Sequence, residues 1–174
     1  LSHFLIGFGV DNPINESWGL KHEVLFKIHG SKFKRTLEGT ELNAKLEMKS
    51  LQINPVLLSY NFKKIQIYTG PYISSLLSSS ITALDSEGNK YKDHSIFGTT
   101  EDEQESGNYL QKLDSGWLIG LSYEFDFGLQ IGASYQHGFT RIFDNSHSFH
   151  VYEGGTSNVK LYNKNLQVFV GFKL

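Results

Sequence analysis

Apolar and polar residues alternate along most of this chain, and the alternation has a period of two. Successive side chains of an extended strand point to opposite faces, so this period predicts β-strands. The stretch KNLQVFVGFKL, residues 164–174, shows it clearly: Leu166, Val168, Val170, Phe172 and Leu174 share one face, and Gln167, Phe169, Gly171 and Lys173 share the other. Seven stretches read this way, at 2–10, 18–29, 46–62, 65–80, 116–126, 128–141 and 163–174. No stretch carries a competing helical period.

In each strand one face is purely or mainly apolar and the other is small or polar. Phe4, Ile6, Phe8 and Val10 oppose His3, Leu5, Gly7 and Gly9; Leu20, Val24, Phe26 and Ile28, with His22, oppose Lys21, Glu23, Leu25 and Lys27. Leu51, Ile53, Pro55 and Leu57 oppose Gln52 and Asn54, although a strand proline demands a bulge or an unpaired position. Ile65, Ile67, Pro71 and Ile73 oppose Gln66, Tyr68, Gly70, Tyr72 and Ser74. Trp117, Ile119, Leu121, Tyr123 and Phe125 oppose Leu118, Gly120, Ser122 and Glu124, while Leu129, Ile131, Ala133, Tyr135 and Phe139 oppose Gln130, Gly132, Ser134, Gln136 and Gly138.

The connections alternate too. Short turns follow Val10, Phe62 and Phe125, with turn-forming Asp11-Asn12-Pro13 and Asp126-Phe127-Gly128. Long polar segments, about 30–45, 81–112 and 142–162, follow the other strands, the first being a loop or a strand extension beyond the apolar band. Short turns at one end and long loops at the other is the rhythm of a membrane-spanning β-barrel. The expected fold is therefore all-β: a small antiparallel up-and-down transmembrane β-barrel forming one domain over 1–174. Such barrels close with an even number of strands, so eight are expected where seven are readable. The chain opens on Leu1 without a methionine, and the eighth strand is expected N-terminal to it, or less favourably hidden in 31–45.

Composition adjusts this picture little. Aromatic residues make up 14%, with 17 Gly and 3 Pro, which suits strands, interfacial girdles and crowded interiors. Mean hydropathy is −0.29, but a polar interior and polar loops cancel a lipid face in any average. A net charge of −2 gives no electrostatic case for nucleic acid. The absence of cysteine excludes disulfides, thiolate metal sites and cysteine nucleophiles.

Lys21, Glu23, Lys27, Glu124, Gln130 and Gln136 have the inward parity and are expected to pair inside a narrow, side-chain-filled lumen. Leu166, Val168, Val170, Phe172 and Leu174 are expected to face lipid as the closing strand. Trp18, Tyr60, Phe62, Phe125 and Phe127 stand near the short-turn ends, where an aromatic girdle belongs. No catalytic, cofactor or metal residues are assigned. Asp144, His147, His150 and Glu153 are too loosely spaced for a metal site. The acidic run Glu101–Glu105, a potential calcium or lipopolysaccharide contact, reads as a solvated loop, and Asp85–Asn89 reads as a turn.

Several of these segments resemble the PorT-like outer-membrane β-barrel domains of Bacteroidota, often called porin-family proteins. The resemblance rests on FGVDNPINESWGLKHEVLF, on LQINPVLLSYNF followed by IYTGPYISSLL, on GWLIGLSYEFDFGLQIGASYQHGFTRI, and on NLQVFVGFKL. The family's Pro-Leu-Leu-x-Tyr-x-Phe and Gly-Pro-Tyr elements are matched by Pro55–Phe62 and Gly70–Tyr72. The chain departs from the family in lacking a counterpart of its first strand and in ending on Leu174 rather than an aromatic. The resemblance implies an eight-stranded outer-membrane barrel, with secretion-system accessory proteins among its members.

The expected role is that of a non-enzymatic structural or accessory subunit in the bacterial outer membrane. Its partners are outer-membrane lipid, lipopolysaccharide and another outer-membrane or periplasmic protein. A soluble lipocalin-like barrel around an apolar ligand is the first alternative, because parity does not say which face is inside. An outer-membrane enzyme using Asp93, His94 or His147 at the loop rim is the second.

Overall fold

The computed structural model describes residues 4–37, 40–84, 90–93, 111–144 and 160–172. Leu174 and the loop residues His94, Glu101–Glu105, His147, His150 and Glu153 lie outside the described residues, as does the turn Asp85–Asn89. The elements are strands: β1 (Phe4–Pro13), β2 (Trp18–Leu37), β3 (Thr40–Phe62), β4 (Ile65–Leu84), β5 (Lys90–Asp93), β6 (Leu113–Glu124), β7 (Leu129–Asp144) and β8 (Lys160–Phe172). No helix among them is long and apolar enough to cross a membrane, so any crossing is made by strands.

Seven strands form the wall, in the order β1-β2-β3-β4-β6-β7-β8, every neighbour antiparallel; the four-residue β5 hangs on the far end of β4. Each strand pairs with the next wall strand along the chain, across short turns at one end and, for β4–β6 and β7–β8, long connections at the other. At the first turn Asn15 Oδ1 accepts from the Ser17 and Trp18 amides at 2.9 and 2.8 Å. Lys63, at φ 57°, turns β3 into β4, and Gly128, at φ 86°, completes the turn between β6 and β7. Left-handed φ is easy for glycine and strained for lysine.

The polar segment 30–45 is not a loop. Its residues to Leu37 continue β2, and those from Thr40 continue β3, paired from Gly30↔Glu47 to Leu37↔Thr40. No separate strand is hidden there. Likewise β4 runs on to Leu84, β5 lies within 81–112, and β7 continues to Asp144. Ladder hydrogen bonds need no apolar side chains, so strand pairing outlasts the apolar alternation. At about 3.3 Å per residue the 20 residues of β2 extend roughly 65 Å, well beyond an apolar band about 25 Å tall even when tilted.

Pro55 forces the one parity error. The β3–β4 register shifts between Ile53 and Leu58, and the β2–β3 register shifts between Lys21 and Glu23. One extra residue on β3 puts both Pro55 and Val56 outside and turns Leu57 inward, where it is fully buried. The bulge accommodates a residue that cannot donate to the ladder. His22, opposite it, reaches the Pro55 carbonyl through Nδ1.

Elsewhere the two faces separate cleanly, and the apolar one is outside. On β6, Leu113, Trp117, Ile119, Leu121 and Tyr123 are exposed while Asp114, Gly116, Leu118, Gly120 and Ser122 are buried. On β8, Leu166, Val168, Val170 and Phe172 are 68–75% exposed. A soluble lipocalin-like barrel requires the reverse, so that alternative fails. An apolar belt around a polar interior matches a lipid solvent.

Among the described residues β1 forms no ladder with β8. The sheet is therefore a curled half-barrel with a seam, and a cavity of about 670 Å³ lies behind that seam.

Candidate functional site

The interior is the candidate site, and two polar networks and an apolar plug occupy it. The first begins at Lys27 on β2, a residue 4% exposed. Its ammonium donates to Gln52 Oε1 on β3 and, at 2.8 Å, to Gln136 Oε1 on β7. Gln52 Nε2 donates to Asn54 Oδ1 at 2.7 Å, and Asn54 Nδ2 donates to Glu23 Oε2 at 2.7 Å. Glu23 Oε1 pairs with Lys21 Nζ at 3.1 Å, and that ammonium sits 4.7 Å from the Tyr68 ring centroid. Gln167 Nε2 on β8 reaches Gln136 Oε1 at 3.2 Å. A buried ammonium without acceptors is costly, and this chain of amides carries its charge towards the Glu23 carboxylate.

The second network centres on Asp114 of β6, towards the end of the wall that bears the long connections. Its Oδ2 accepts from Tyr72 OH at 3.0 Å and Asn163 Nδ2 at 2.8 Å, and its Oδ1 accepts from Thr140 Oγ1 at 2.8 Å. The Ser115 amide donates to the same threonine hydroxyl at 2.8 Å. Between the networks Leu57, Tyr68, Tyr72 and Leu118 form an apolar cluster, with Phe169 against it. Glycines make room for the rings. A Cβ on Gly120 would stand 2.5 Å from the Tyr68 hydroxyl and nearer still to its ring carbons, one on Gly132 would stand 2.7 Å from Phe169 Cε1, and one on Gly116 would stand 2.8 Å from Tyr72 Cε1.

The structure brings Lys21, Glu23, Lys27 and Gln136 together in the first network. Glu124 and Gln130 stand apart near the short-turn end, joined by a 3.3 Å hydrogen bond from Gln130 Nε2. Gln52, Asn54 and Gln167 complete the first network without having been singled out; their inward parity was the available signal. Asp114 was missed because it precedes the apolar alternation that starts at residue 116. Among the described residues no group of three His, Cys, Asp or Glu could hold a metal ion.

The outer face satisfies its own polar atoms. Trp117 Nε1 donates to Thr69 Oγ1 at 2.8 Å, and that hydroxyl donates to the Leu118 carbonyl at 2.8 Å. Aromatic pairs collect at the short-turn rim: Trp18–Tyr60 at 4.9 Å, Tyr123–Phe125 at 4.9 Å and Phe125–Phe127 at 5.6 Å between centroids. At that rim Lys64 donates to Asp126 Oδ2 at 2.7 Å, and this hydrogen bond, aided by the charge, holds the Lys64 ammonium above its ordinary pKa of 10.5.

A family model described as outer membrane protein beta-barrel domain matches residues 2–144. No curated protein and no solved structure matches the chain.

Proposed function

The chain belongs to the outer membrane protein beta-barrel domain family and resides in the bacterial outer membrane, and from that premise we propose that it serves there as a non-enzymatic structural or accessory subunit rather than as a pore. One observation carries the reading: Lys27 on β2 bonds Gln52 beside it and Gln136 across the lumen on β7. A side-chain bridge from β2 to β7 obstructs a continuous water path through the interior at that level, beside the cavity of about 670 Å³. The Tyr68–Tyr72–Leu118 cluster fills the next level. What remains for function is the outer surface, the rim and the β2–β3 hairpin that outreaches the apolar band. These suit docking to another outer-membrane or periplasmic protein, as in a PorT-like secretion assembly, and contact with lipopolysaccharide.

Purification in mild detergent tests this. The expected result is a stoichiometric protein companion on a native gel, together with no single-channel conductance in planar bilayers. A companion-free monomer, or discrete ion-conducting steps, would overturn the proposal.

A further inference from the structure

We propose that the outer face of β7 and β8, at the end that bears the long connections, holds the phosphate groups of lipopolysaccharide on Arg141, Lys160 and Lys164. This deepens the lipopolysaccharide contact proposed above and rests on it. Up the outer face of β8 run Phe172, Val170, Val168 and Leu166, then Lys164, Tyr162 and Lys160, all exposed. From Phe172 to Lys164 the strand climbs roughly 26 Å, or about 20 Å along the membrane normal at a tilt of about 40°. Lys160 stands about 30 Å up on the same scale. The two ammonium groups thus straddle the upper edge of an apolar band about 25 Å tall. In such barrels the end with the long connections is extracellular, so the leaflet at that edge is the one that lipopolysaccharide occupies.

Three cations gather around one hydroxyl there. Arg141, itself exposed, is the ladder partner of Tyr162, and its Nε donates to the tyrosine hydroxyl at 3.4 Å. Lys160 and Lys164 flank Tyr162 on the same strand, each about 7 Å away. Like charges crowded on one sheet face repel, and a shared anion removes that cost. Among the described residues neither lysine makes an ion pair. β8 contains no Asp or Glu, and β7 contains only Asp144, the ladder partner of Lys160. Elsewhere the cations of the wall stand beside carboxylates. Lys64 bonds Asp126 at 2.7 Å, Lys45 bonds Glu47 at 3.1 Å, and the exposed Lys49 has Glu47 two positions away on its own face.

The ligand follows from this chemistry. A guanidinium presents a planar fork that matches phosphate oxygens, and lysines reach the same group as flexible point charges while their stems lie along apolar surface. Below the cations Leu166, Val168, Val170 and Phe172, 68–75% exposed, form an apolar track for an acyl chain, so the ligand is an amphiphile rather than a free anion. Lys160 and Lys164 lie about 13 Å apart along the strand, a spread that suits a saccharide headgroup bearing more than one phosphate better than a phospholipid with a single one. The face does not depend on what pairs with the other edge of β8, because ladder partners lie beside a strand and not over its faces.

The test follows the anisotropy of fluorescent lipopolysaccharide, dispersed in detergent, as the 174-residue chain in the same detergent is added. Lys160→Gln/Lys164→Gln should weaken binding about tenfold or more, and Arg141→Gln about tenfold, on the scale of lost hydrogen bonds to charged groups. Lys49→Gln/Lys63→Gln removes the same charge from exposed lysines elsewhere and should leave binding unchanged. Dephosphorylated lipopolysaccharide should bind the wild type as weakly as the phosphorylated lipid binds the Lys160/Lys164 variant. Phosphatidylglycerol and inorganic phosphate should compete poorly. Equal weakening by the control pair, undiminished binding of the dephosphorylated lipid, or equal competition by phosphatidylglycerol or inorganic phosphate overturns the proposal. Arg141→Gln and the dephosphorylated lipid decide it even if the double variant does not fold. Unchanged binding in every variant removes this site alone, whereas no binding by the wild type removes the lipopolysaccharide contact itself; the protein companion and the conductance are read separately.

Discussion

Replacing Gly120 by alanine tests whether the interior is packed as a lumen core. Gly120 lies on the inner face of β6, and its missing side chain is the space occupied by the Tyr68 ring of β4. A Cβ there would stand 2.5 Å from the tyrosine hydroxyl and closer to ring carbons. Favourable carbon separations are ~3.5–4.0 Å, so the ring must withdraw by about 1 Å or more. It has nowhere easy to go: Tyr68 is 2% exposed, clustered with Leu57, Tyr72 and Leu118, and covered by the Lys21 ammonium. Overpacking of this kind costs about 1–3 kcal/mol. Reversible denaturant unfolding in detergent micelles, followed by Trp18 and Trp117 fluorescence, measures it. Tyr68→Ala destabilises by itself, by about 3–5 kcal/mol on the scale of other aromatic truncations, yet it empties the space the alanine needs. Gly120→Ala in that background should therefore cost less than about 0.5 kcal/mol, a coupling well outside ordinary additivity. If Gly120→Ala is neutral in the wild type, or equally costly in both backgrounds, the ring does not sit against this glycine.

Other perturbations separate the lipid face, the lumen and the turns. Val168→Lys, on the exposed face of β8, should cost about 2–4 kcal/mol in a bilayer if it lies near the midplane, against at most ~0.5 kcal/mol for a water-facing residue; folding titrations in liposomes decide between them. Lys27→Ala removes the shared donor of Gln52 and Gln136 and leaves a cavity, and should cost about 2–5 kcal/mol, whereas Lys27→Met keeps the bulk and should cost about 1–3 kcal/mol for the unsatisfied acceptors; a neutral Lys27→Met would show that the bridge matters only as filler. Lys63→Gly should stabilise by about 0.5–1 kcal/mol by releasing a left-handed lysine, read as a raised unfolding midpoint with unchanged slope. The raised pKa of Lys64 means that its pairing with Asp126 contributes below pH 10.5 and is lost as pH rises through the higher folded-state value; the lysine ε-carbon NMR titration should move down in Asp126→Asn, and an unchanged midpoint would refute the pairing.

Much of the wall is legible in the chain. The period of two, the tight turns at Lys63 and Gly128, the inward parity of Lys21, Lys27 and Gln136, and the seven wall strands follow from local chemistry, because a strand's two faces and a turn's φ angles are set within a few residues. Strand ends were less legible. Residues 31–37 and 40–45 pair as strands although their side chains lose the alternation, since a ladder is held by backbone groups. Leu57 was assigned to the wrong face because sequence parity cannot count the extra residue that Pro55 introduces. Sidedness came from the loop rhythm and the resemblance, not from the alternation itself. Alternation is symmetric under exchange of the two faces, and only the direction in which the sheet curls puts Gln52 and Gln136 inside and Val168 outside. The pairing of Lys27 with Gln136, 109 positions along the chain, and the fit of the Tyr68 ring against Gly120 are likewise products of that curl. They join residues that share no local pattern, brought together when distant strands face each other across the lumen.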